Sequence, residues 1–514
     1  KGPPPARGER GSDGTPHGLR GLRSLPEQPF RTLPLGAPVT GDPPTMPPVG
    51  PRVPIRAYRP RRADVVQLGR LAAPVVLVQL GLMAMGALDT VMVGRVSATD
   101  LAAVAIGNLY FFGVAVFGMG VLFALDPVIA QAVGADDDVA VARGVQRGLV
   151  LAIGLTVLAS VLLIPAGPLL TFFRQPADVI PVAAAYALVA IPGVFPFYGF
   201  VLFRQCLQAM GRVRPIVWTV LAANIVNFGL NWVLIYGNLG APALGAVGSS
   251  WATSLSRWFM LLSLMFVSWP LIRPTIRPFR PEVLRTVPLV RLLRVGVPIG
   301  GQQWLEFGVF GAAGLLMGLI GTVAVASHQV ALQLAAVTFM IPVGVAQATS
   351  VLVGQAVGRG DPPSARRSAG AGLVVGTAFM TVTALMFLTV PETLATFFSR
   401  DTQVIATAVL LLPIAGVFQI VDGWQVVAAG ALRGVADTRV PMILNLVGFW
   451  LVGLPACVAL GFWADMGPRG VWWGLALGLG VVALLLLHRI RRRFGRELRR
   501  LLIDEGEVPA AEPV

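Results

Sequence analysis

The feature that most constrains this chain is a succession of long apolar runs, separated by loops that carry most of its arginines. The first run, residues 71–93, would reach roughly 34 Å as a helix, which is enough to cross a bilayer core. Eleven further runs follow, at 101–125, 149–170, 179–203, 215–236, 248–269, 295–320, 325–353, 369–390, 404–432, 441–462 and 471–487. The sequence therefore predicts an all-α polytopic membrane protein with twelve transmembrane helices.

The charge of the chain fits the same class. Its 514 residues have a formal charge of +15, but only 13% are charged and 55% are apolar. The arginines lie between apolar runs and near both ends, where they orient a protein in the membrane, so no nucleic-acid partner is expected. Lys1 is the only lysine, so no phosphate-binding loop of the Walker type can form. Transport driven by ATP hydrolysis within this chain is excluded.

Arginine counts in alternate loops predict the topology. One set of loops holds most of the arginines, including six between residues 273 and 294, whereas the other set holds only Arg95, Arg174, Arg400 and Arg469. The positive-inside rule places the first set and both termini in the cytoplasm. We expect a location in a bacterial inner membrane.

Composition divides the chain into five parts. Residues 1–64 form a Pro-, Gly- and Arg-rich extension that is expected to be disordered, and Met46 is an alternative start. A first lobe is predicted at 65–270 with helices 1–6, and a second at 295–488 with helices 7–12. The basic connector at 271–294 and the basic tail at 489–514 are expected in the cytoplasm.

The two lobes are an internal duplication. The sequence Gln-Ala-Val-Gly at 131–134 returns at 355–358, and the Phe pair at 172–173 returns at 397–398, at spacings of 224 and 225 residues. Each copy has six spans, an even number, so both copies enter the membrane from the same side. We therefore predict two six-helix lobes related by a pseudo-twofold axis along the membrane normal.

Three acids lie inside predicted spans, where an ionisable residue usually has a function. Asp89 lies in the first span, whereas Glu306 and Asp422 lie in the second lobe, roughly 18 and 16 Å from their flanking arginines at 1.5 Å per residue. Two acids at one depth cannot both stay ionised without a cation, because burial and like charge disfavour the charged form. Such a pair is suited to holding H⁺ or Na⁺ reversibly.

Polar residues elsewhere in the first lobe could complete these sites. Asn227 and Asn231 lie on one face of the fifth span and Thr253 lies on the next span, so neutral oxygens are available to a cation at Asp89. An Asn pair also serves as interhelical contact in many membrane proteins. Arg257 lies within the sixth span, and we expect a structural role with Asp126 or helix C-terminal carbonyls as its acceptor.

Two motifs resemble those of the multidrug and toxic compound extrusion (MATE) family. They are Asp-Thr-x-Met-x-Gly at 89–94 and Asp-x-x-Gln-x-x-x-x-Gly-x-Leu-Arg-Gly at 422–434, and Trp-Leu-Glu at 304–306 supports them. The presence of both Glu306 and Asp422 is similar to the NorM-type branch. Phe418 stands where that branch commonly has Tyr, which removes a hydroxyl group from the second lobe and favours coupling to protons.

The resemblance implies a secondary antiporter that exports cationic amphipathic compounds in exchange for H⁺ or Na⁺. It assigns cation coupling to six residues and no catalytic residue: Asp89, Asn227, Asn231, Thr253, Glu306 and Asp422. Small organic cations and membrane lipids are the expected partners, no cofactor is expected, and a monomer is predicted. The alternatives are a lipid-linked oligosaccharide flippase of the same wider superfamily, a membrane enzyme, for which no metal or nucleophile cluster is evident, and a passive channel.

Overall fold

The computed structural model describes residues 1–2 and 54–504, so most of the predicted N-terminal extension and the last ten residues lie outside the described residues. Eleven helices in the described part are long and apolar enough to cross a membrane. A twelfth span is formed by Gly245–Val267 with its continuation Trp269–Ile276, which is bent by 90°. No described residue lies in a β-strand. The predicted all-α class with twelve spans is confirmed.

We number the spans α1 to α12 in chain order. Their bounds are Arg62–Val93, Ala98–Gly134, Asp138–Leu163, Ile180–Ala209, Arg214–Tyr236, Gly245–Val267, Thr286–Ile320, Thr322–Gly358, Pro362–Thr389, Thr402–Gly434, Arg439–Trp463 and Pro468–Phe494. Span α2 breaks after Leu122 and resumes at Leu125, and two stretches of α11, Leu446–Gly453 and Ala459–Trp463, are π-helical.

Several helices begin well before the apolar run that predicted them, because a capping side chain sets the first turn. Asp137 accepts a hydrogen bond from the Ala140 N–H at 2.9 Å and starts α3 eleven residues before the run at 149–170. Asp361, its counterpart in the second lobe, accepts one from the Ser364 N–H at 3.0 Å and starts α9. The Ala140 N–H and the Arg500 guanidinium hold the pKa of Asp137 below its usual value. Apolar content locates a span, whereas capping locates the end of the helix.

Helix α7 begins at Thr286, within the segment 271–294 that the sequence assigns to the connector. Arg291 and Arg294 therefore lie in the first turns of α7. The Gln146 side chain joins the connector to α3: it donates to Thr275 O at 3.1 Å and to Pro278 O at 3.0 Å, and it accepts from the Arg280 N–H at 3.0 Å.

Buried apolar residues form a large cluster centred on α1 to α6, a second large cluster centred on α7 to α12, and a smaller cluster around the ends of α1, α2 and α4 in the first lobe. The first cluster also includes Val345–Leu352 of α8, so α8 packs against both lobes. Each lobe therefore has its own core of buried apolar side chains, as expected for a duplicated chain.

The two halves meet where α2, α4, α8 and α10 end, which is also the end of the bundle that carries the arginine-bearing loops. We call this end the arginine-rich face. A Cβ atom on Gly134 would lie 2.1 Å from Gln355 O, and one on Gly358 would lie 2.0 Å from Gln131 O. The Gln131 side chain donates to Gly434 O at 2.9 Å, and the Gln355 side chain donates to Ala209 O at 2.8 Å. The repeated Gln-Ala-Val-Gly segments therefore contact each other reciprocally across the pseudo-twofold axis.

Candidate functional site: two acidic clusters

A cavity of about 310 Å³ lies directly inside the contact between the two halves. Most of its wall comes from α7, α8 and α10 of the second lobe, and α2 contributes Val116 and Phe123 from the first lobe. Its size lies at the lower end of the range for cavities that hold drug-sized molecules. Because both lobes contribute to the wall, the shape of the cavity depends on how the lobes are arranged.

Glu306 of α7 and Asp422 of α10 both line this cavity and lie close enough to interact electrostatically. The Gln425 side chain lies beside Glu306 in the cavity wall. No described residue donates a hydrogen bond to Asp422, whose exposed fraction is only 5%. A buried carboxyl group with an acidic neighbour and no donor is stabilised when it carries a proton or faces a cation.

Aromatic side chains surround the acids. Phe418 lies one turn before Asp422 and packs edge-on against Phe310 and Trp472, with ring centroids 6.1 and 5.8 Å apart. Phe307 and Phe339 complete the aromatic wall. Aromatic faces attract cations and bind flat apolar groups, so the cavity combines negative charge with surfaces suited to amphipathic cations.

The second cluster lies in the first lobe around Asp89 of α1. The Asn231 side chain donates to Asp89 Oδ1 at 2.6 Å and the Thr253 hydroxyl donates to Asp89 Oδ2 at 2.7 Å. The Asn231 amide also donates to Asn227 Oδ1 at 3.1 Å. Asn227 and Asn231 are fully buried, and Asp89 is 2% exposed. The structure thus brings together all four residues that the sequence suggested for this lobe.

The hydrogen bonds of this cluster leave two buried amide atoms without a partner, Asn231 Oδ1 and Asn227 Nδ2. Rotation of the Asn231 amide would present its oxygen beside the oxygens of Asp89, Asn227 and Thr253. Four such oxygens are the ligand type that Na⁺ and other hard cations prefer. Protonation of Asp89 would instead turn one of its oxygens into a donor, and the Thr253 hydroxyl, which can also accept, is placed to receive that hydrogen bond.

Arg257 does not pair with Asp126, so the first of the two acceptors expected from the sequence is wrong. Its guanidinium lies 4.1 Å from the ring centroid of Phe111 and 5.3 Å from that of Phe197, within electrostatic range of Asp89. Stacking on aromatic faces stabilises a buried arginine without an ion pair. Arg257 therefore adds positive charge near the Asp89 cluster.

Asp126 instead joins the two lobes. It accepts a hydrogen bond from the Gln205 side chain at 2.7 Å, and its other oxygen lies 3.8 Å from the Arg433 guanidinium of α10. Arg433 lines the end of the cavity nearest the arginine-rich face and lies 5.3 Å from the ring centroid of Phe123. The sequence did not single out Arg433 as a site residue. Its position within the Leu-Arg-Gly motif was the available signal that it belongs to a site.

Comparisons with known proteins agree with this arrangement. The chain matches the MatE family model over residues 74–233 and 298–459. It is 39% identical over 455 residues to the probable multidrug resistance protein NorM of Rhodopseudomonas palustris, covering 84% of this chain and 92% of that one. It is 36% identical over 469 residues to the multidrug resistance protein PmpM of Pseudomonas aeruginosa, covering 89% and 98%.

Solved structures show the same fold. The eukaryotic MATE transporter AtDTX14 superposes with a TM-score of 0.79 at 21% identity, over 86% of this chain and 99% of that one. A MATE transporter in complex with MaD3S superposes with a TM-score of 0.75 at 20% identity. Together with the sequence matches, these findings confirm the resemblance: the chain belongs to the multidrug and toxic compound extrusion (MATE) family, in its NorM-type branch.

Proposed function

We propose that this chain is a multidrug efflux antiporter, which exports cationic amphipathic compounds in exchange for H⁺ or Na⁺ by alternating access of its two lobes. The observation that carries the proposal is the pair of acids, Glu306 and Asp422, within an aromatic cavity to which both lobes contribute. A compound with a positive charge and an apolar ring system fits that combination. The multidrug resistance names of its relatives support the same function.

The exchange follows from the chemistry of the acid pair. Glu306 and Asp422 share at least one proton when the cavity is empty, because two adjacent buried anions repel strongly. A bound organic cation stabilises the ionised pair, so its entry releases a proton, and protons arriving from outside later displace it. Substrate and proton affinities are then coupled reciprocally, which is the thermodynamic requirement for antiport.

The Asp89 cluster has a separate role in this proposal. A cation held by Asp89, Asn231 and Thr253 links α1, α5 and α6, so its binding favours the lobe arrangement in which those helices pack together. This cluster would take Na⁺ if Asn231 presents its oxygen and H⁺ if Asp89 is protonated. The chain needs no resident cofactor for either step.

The arginine-rich face is placed in the cytoplasm, together with both termini, in a bacterial inner membrane. The asymmetry of the arginines between alternate loops supports this orientation. The reciprocal contact of Gly134 and Gly358 then closes the cytoplasmic side in the arrangement described above. A single copy contains both acidic clusters and the cavity, so a monomer suffices for transport.

A transport assay in inverted membrane vesicles tests the proposal. Vesicles carrying the protein are given a fluorescent organic cation under an imposed pH gradient or an imposed Na⁺ gradient, and uptake is followed by fluorescence. We expect gradient-driven uptake in the parent and a fall of about tenfold or more in the Glu306→Gln/Asp422→Asn double variant. The free energy that couples the binding of two ligands is typically about 1–3 kcal/mol, and the variant removes the acids proposed to supply it. The ion whose gradient drives uptake is the coupling ion.

The matched control is the Asp178→Asn/Glu392→Gln double variant, which removes two acids from exposed positions and keeps the same total charge as the test variant. It should transport like the parent. Unchanged gradient-driven uptake in the Glu306→Gln/Asp422→Asn variant, at equal protein level, would show that these acids are packing residues.

The charge of the cavity argues against the flippase alternative. A lipid-linked oligosaccharide carries phosphate groups and calls for a basic cavity. The described residues give this cavity two acids and a single arginine, Arg433, which faces Asp126. Competition between the fluorescent cation and an anionic analogue in the same vesicles separates the two functions.

A further inference from the structure

A second cavity, separate from the transport cavity, lies at the arginine-rich face. Four arginines line it: Arg291 and Arg294 in the first turns of α7, Arg439 at the start of α11, and Arg489 near the end of α12. The chain segment after α12 closes one side through Leu501, Leu502 and Ile503. We call this cavity the arginine cavity.

Among the described residues, Asp437 is the only acid that lines the arginine cavity. Its carboxylate is bound by the Arg489 guanidinium at 2.7 Å. Arg291 donates to Ile503 O at 2.9 Å and so holds the tail in place. Arg294 and Arg439 are exposed, and neither forms a hydrogen bond or an ion pair with any residue in the described part of the chain. The cavity therefore holds an excess of positive charge with two guanidinium groups available to a ligand.

Guanidinium groups that share a cavity repel each other unless an anion lies between them. A phosphate group suits this position, because its several oxygens can accept hydrogen bonds from two planar guanidinium groups at once. A carboxylate could satisfy only one of them in the same two-bond geometry. The chemistry of the arginine cavity thus points to a phosphate-bearing ligand.

The walls next to the cavity indicate where that phosphate comes from. Val297 lies one turn beyond Arg294 on the same face of α7 and is 44% exposed, and Ile443 lies one turn beyond Arg439 on the same face of α11 and is 51% exposed. The two helices are in contact there, since a Cβ atom on Gly301 would lie 3.0 Å from Met442 Sδ. Charged side chains at the helix ends are thus followed by exposed apolar side chains one turn deeper in the membrane.

We propose that the arginine cavity binds the headgroup phosphate of an anionic glycerophospholipid, with its acyl chains against Val297 and Ile443. Basic pockets between helix ends at the cytoplasmic face are suited to such headgroups. The proposal does not depend on the transported substrate or on the coupling ion.

The bound lipid also acts on the conformation of the protein, because the tail that closes the cavity is attached to the first lobe. Asp504 pairs with Arg147 and lies 3.2 Å from Arg143, and Arg500 lies 2.8 Å from Asp137. A lipid headgroup that contacts both the tail and the second lobe binds most tightly when the tail spans the two lobes. It therefore favours the arrangement in which the arginine-rich face is closed.

Native mass spectrometry of the full chain in detergent tests the proposal. The purified protein is titrated with dioleoylphosphatidylglycerol or with dioleoylphosphatidylcholine, and the lipid-bound species are counted. We expect tighter binding of the phosphatidylglycerol, and a loss of about 10- to 30-fold in its apparent affinity in the Arg294→Gln/Arg439→Gln variant, from the attraction of each arginine to an anionic headgroup. Phosphatidylcholine binding should be the same in the two proteins.

The matched control is the Arg212→Gln/Arg214→Gln variant, which removes two exposed arginines from the same face of the first lobe. It should bind phosphatidylglycerol within about twofold of the parent, since the removed charges lie outside the cavity. The Arg294→Lys/Arg439→Lys variant keeps the charge but loses the paired guanidinium hydrogen bonds, so its affinity should lie between those of the parent and the Gln variant, which guards against loss through misfolding.

Three outcomes would overturn the proposal. One is equal phosphatidylglycerol binding in the parent and the Arg294→Gln/Arg439→Gln variant. Another is an equal loss in the control variant, which would mean that only the total surface charge matters. The third is displacement of the bound lipid by an excess of inorganic phosphate, which would assign the cavity to free phosphate.

Discussion

Replacing Gly134 by Ala should open the arginine-rich face, because no room exists for a methyl group where the two halves meet. The Cβ atom would lie 2.1 Å from Gln355 O, whereas an ordinary carbon–oxygen contact is about 3.3 Å or longer. Both partners belong to helix backbone, so neither can rotate away. The ends of α2 and α8 must therefore separate by about 1 Å, the difference between these two distances.

The cost of that separation can be estimated from the contacts it strains. Overpacking in a close contact costs about 1–3 kcal/mol. Weakening the two Gln-to-carbonyl hydrogen bonds, of 2.9 and 2.8 Å, adds about 1 kcal/mol for each. The total of about 3–5 kcal/mol corresponds to a shift of at least roughly a hundredfold in the ratio of closed to open molecules.

Distance measurements between spin labels can detect the shift. Arg212 and Arg359 are exposed, lie in loops of opposite lobes at the arginine-rich face, and can each be replaced by a labelled cysteine. The native cysteines, Cys206 and Cys457, are buried. We expect the Gly134→Ala variant to show a longer inter-label distance than the parent.

Gly154→Ala is the matched control, since a Cβ atom there meets nothing within 4 Å. Gly358→Ala should act like Gly134→Ala, because its contact with Gln131 O is the reciprocal one. The reasoning is refuted if Gly134→Ala and Gly358→Ala, both monodisperse and fully labelled, give the same distance distribution as Gly154→Ala.

Three further predictions concern the Asp89 cluster and the tail. Asp89→Asn should lower gradient-driven uptake in vesicles by about tenfold or more while the protein stays inserted, since it removes the one charge that can attract a cation there, and unaltered uptake would contradict this. Asp504→Asn should release the tail from Arg147, which is almost fully buried. Because a partly exposed pair contributes about 1 kcal/mol, the rate of proteolysis after α12 should rise by about fivefold, and an unchanged cleavage rate would contradict this. The pKa of Asp137 lies below its usual value, so Asp137 stays ionised and its contact with Arg500 should persist above about pH 4. The contact should be lost as the pH falls through the lowered pKa. Mobility of a spin label on the tail measures this, and a label that becomes mobile already near neutral pH would contradict it.

Much of the fold could be predicted from local composition. An apolar run of about twenty residues has few options other than a transmembrane helix, because an unpaired backbone group in lipid is very unfavourable. The number of spans and the duplication therefore followed from the sequence alone. The helix ends did not, because caps such as Asp137 and Asp361 lie outside the apolar runs.

The candidate site divides in the same way. The intramembrane acids Asp89, Glu306 and Asp422 were evident from the sequence, since a charge within an apolar run is rare unless it has a role. Their motifs also led to the MATE family. Contacts between polar side chains could be predicted only for residues that lie one turn apart on the same helix, such as Asn227 and Asn231.

Contacts between lobes were decided by the tertiary structure alone. The sequence suggested Asp126 as a partner for Arg257, but the structure places Asp126 against Arg433, more than three hundred positions along the chain. The repeated Gln-Ala-Val-Gly segments were visible as a duplication, yet only the fold shows that each Gly lies against the Gln of the other copy. Helical periodicity specifies which residues share a face, whereas the angle and register at which two helices cross depend on the packing of every side chain between them. For that reason the chain's own sequence predicted the charged groups of the site but not the partners that hold them.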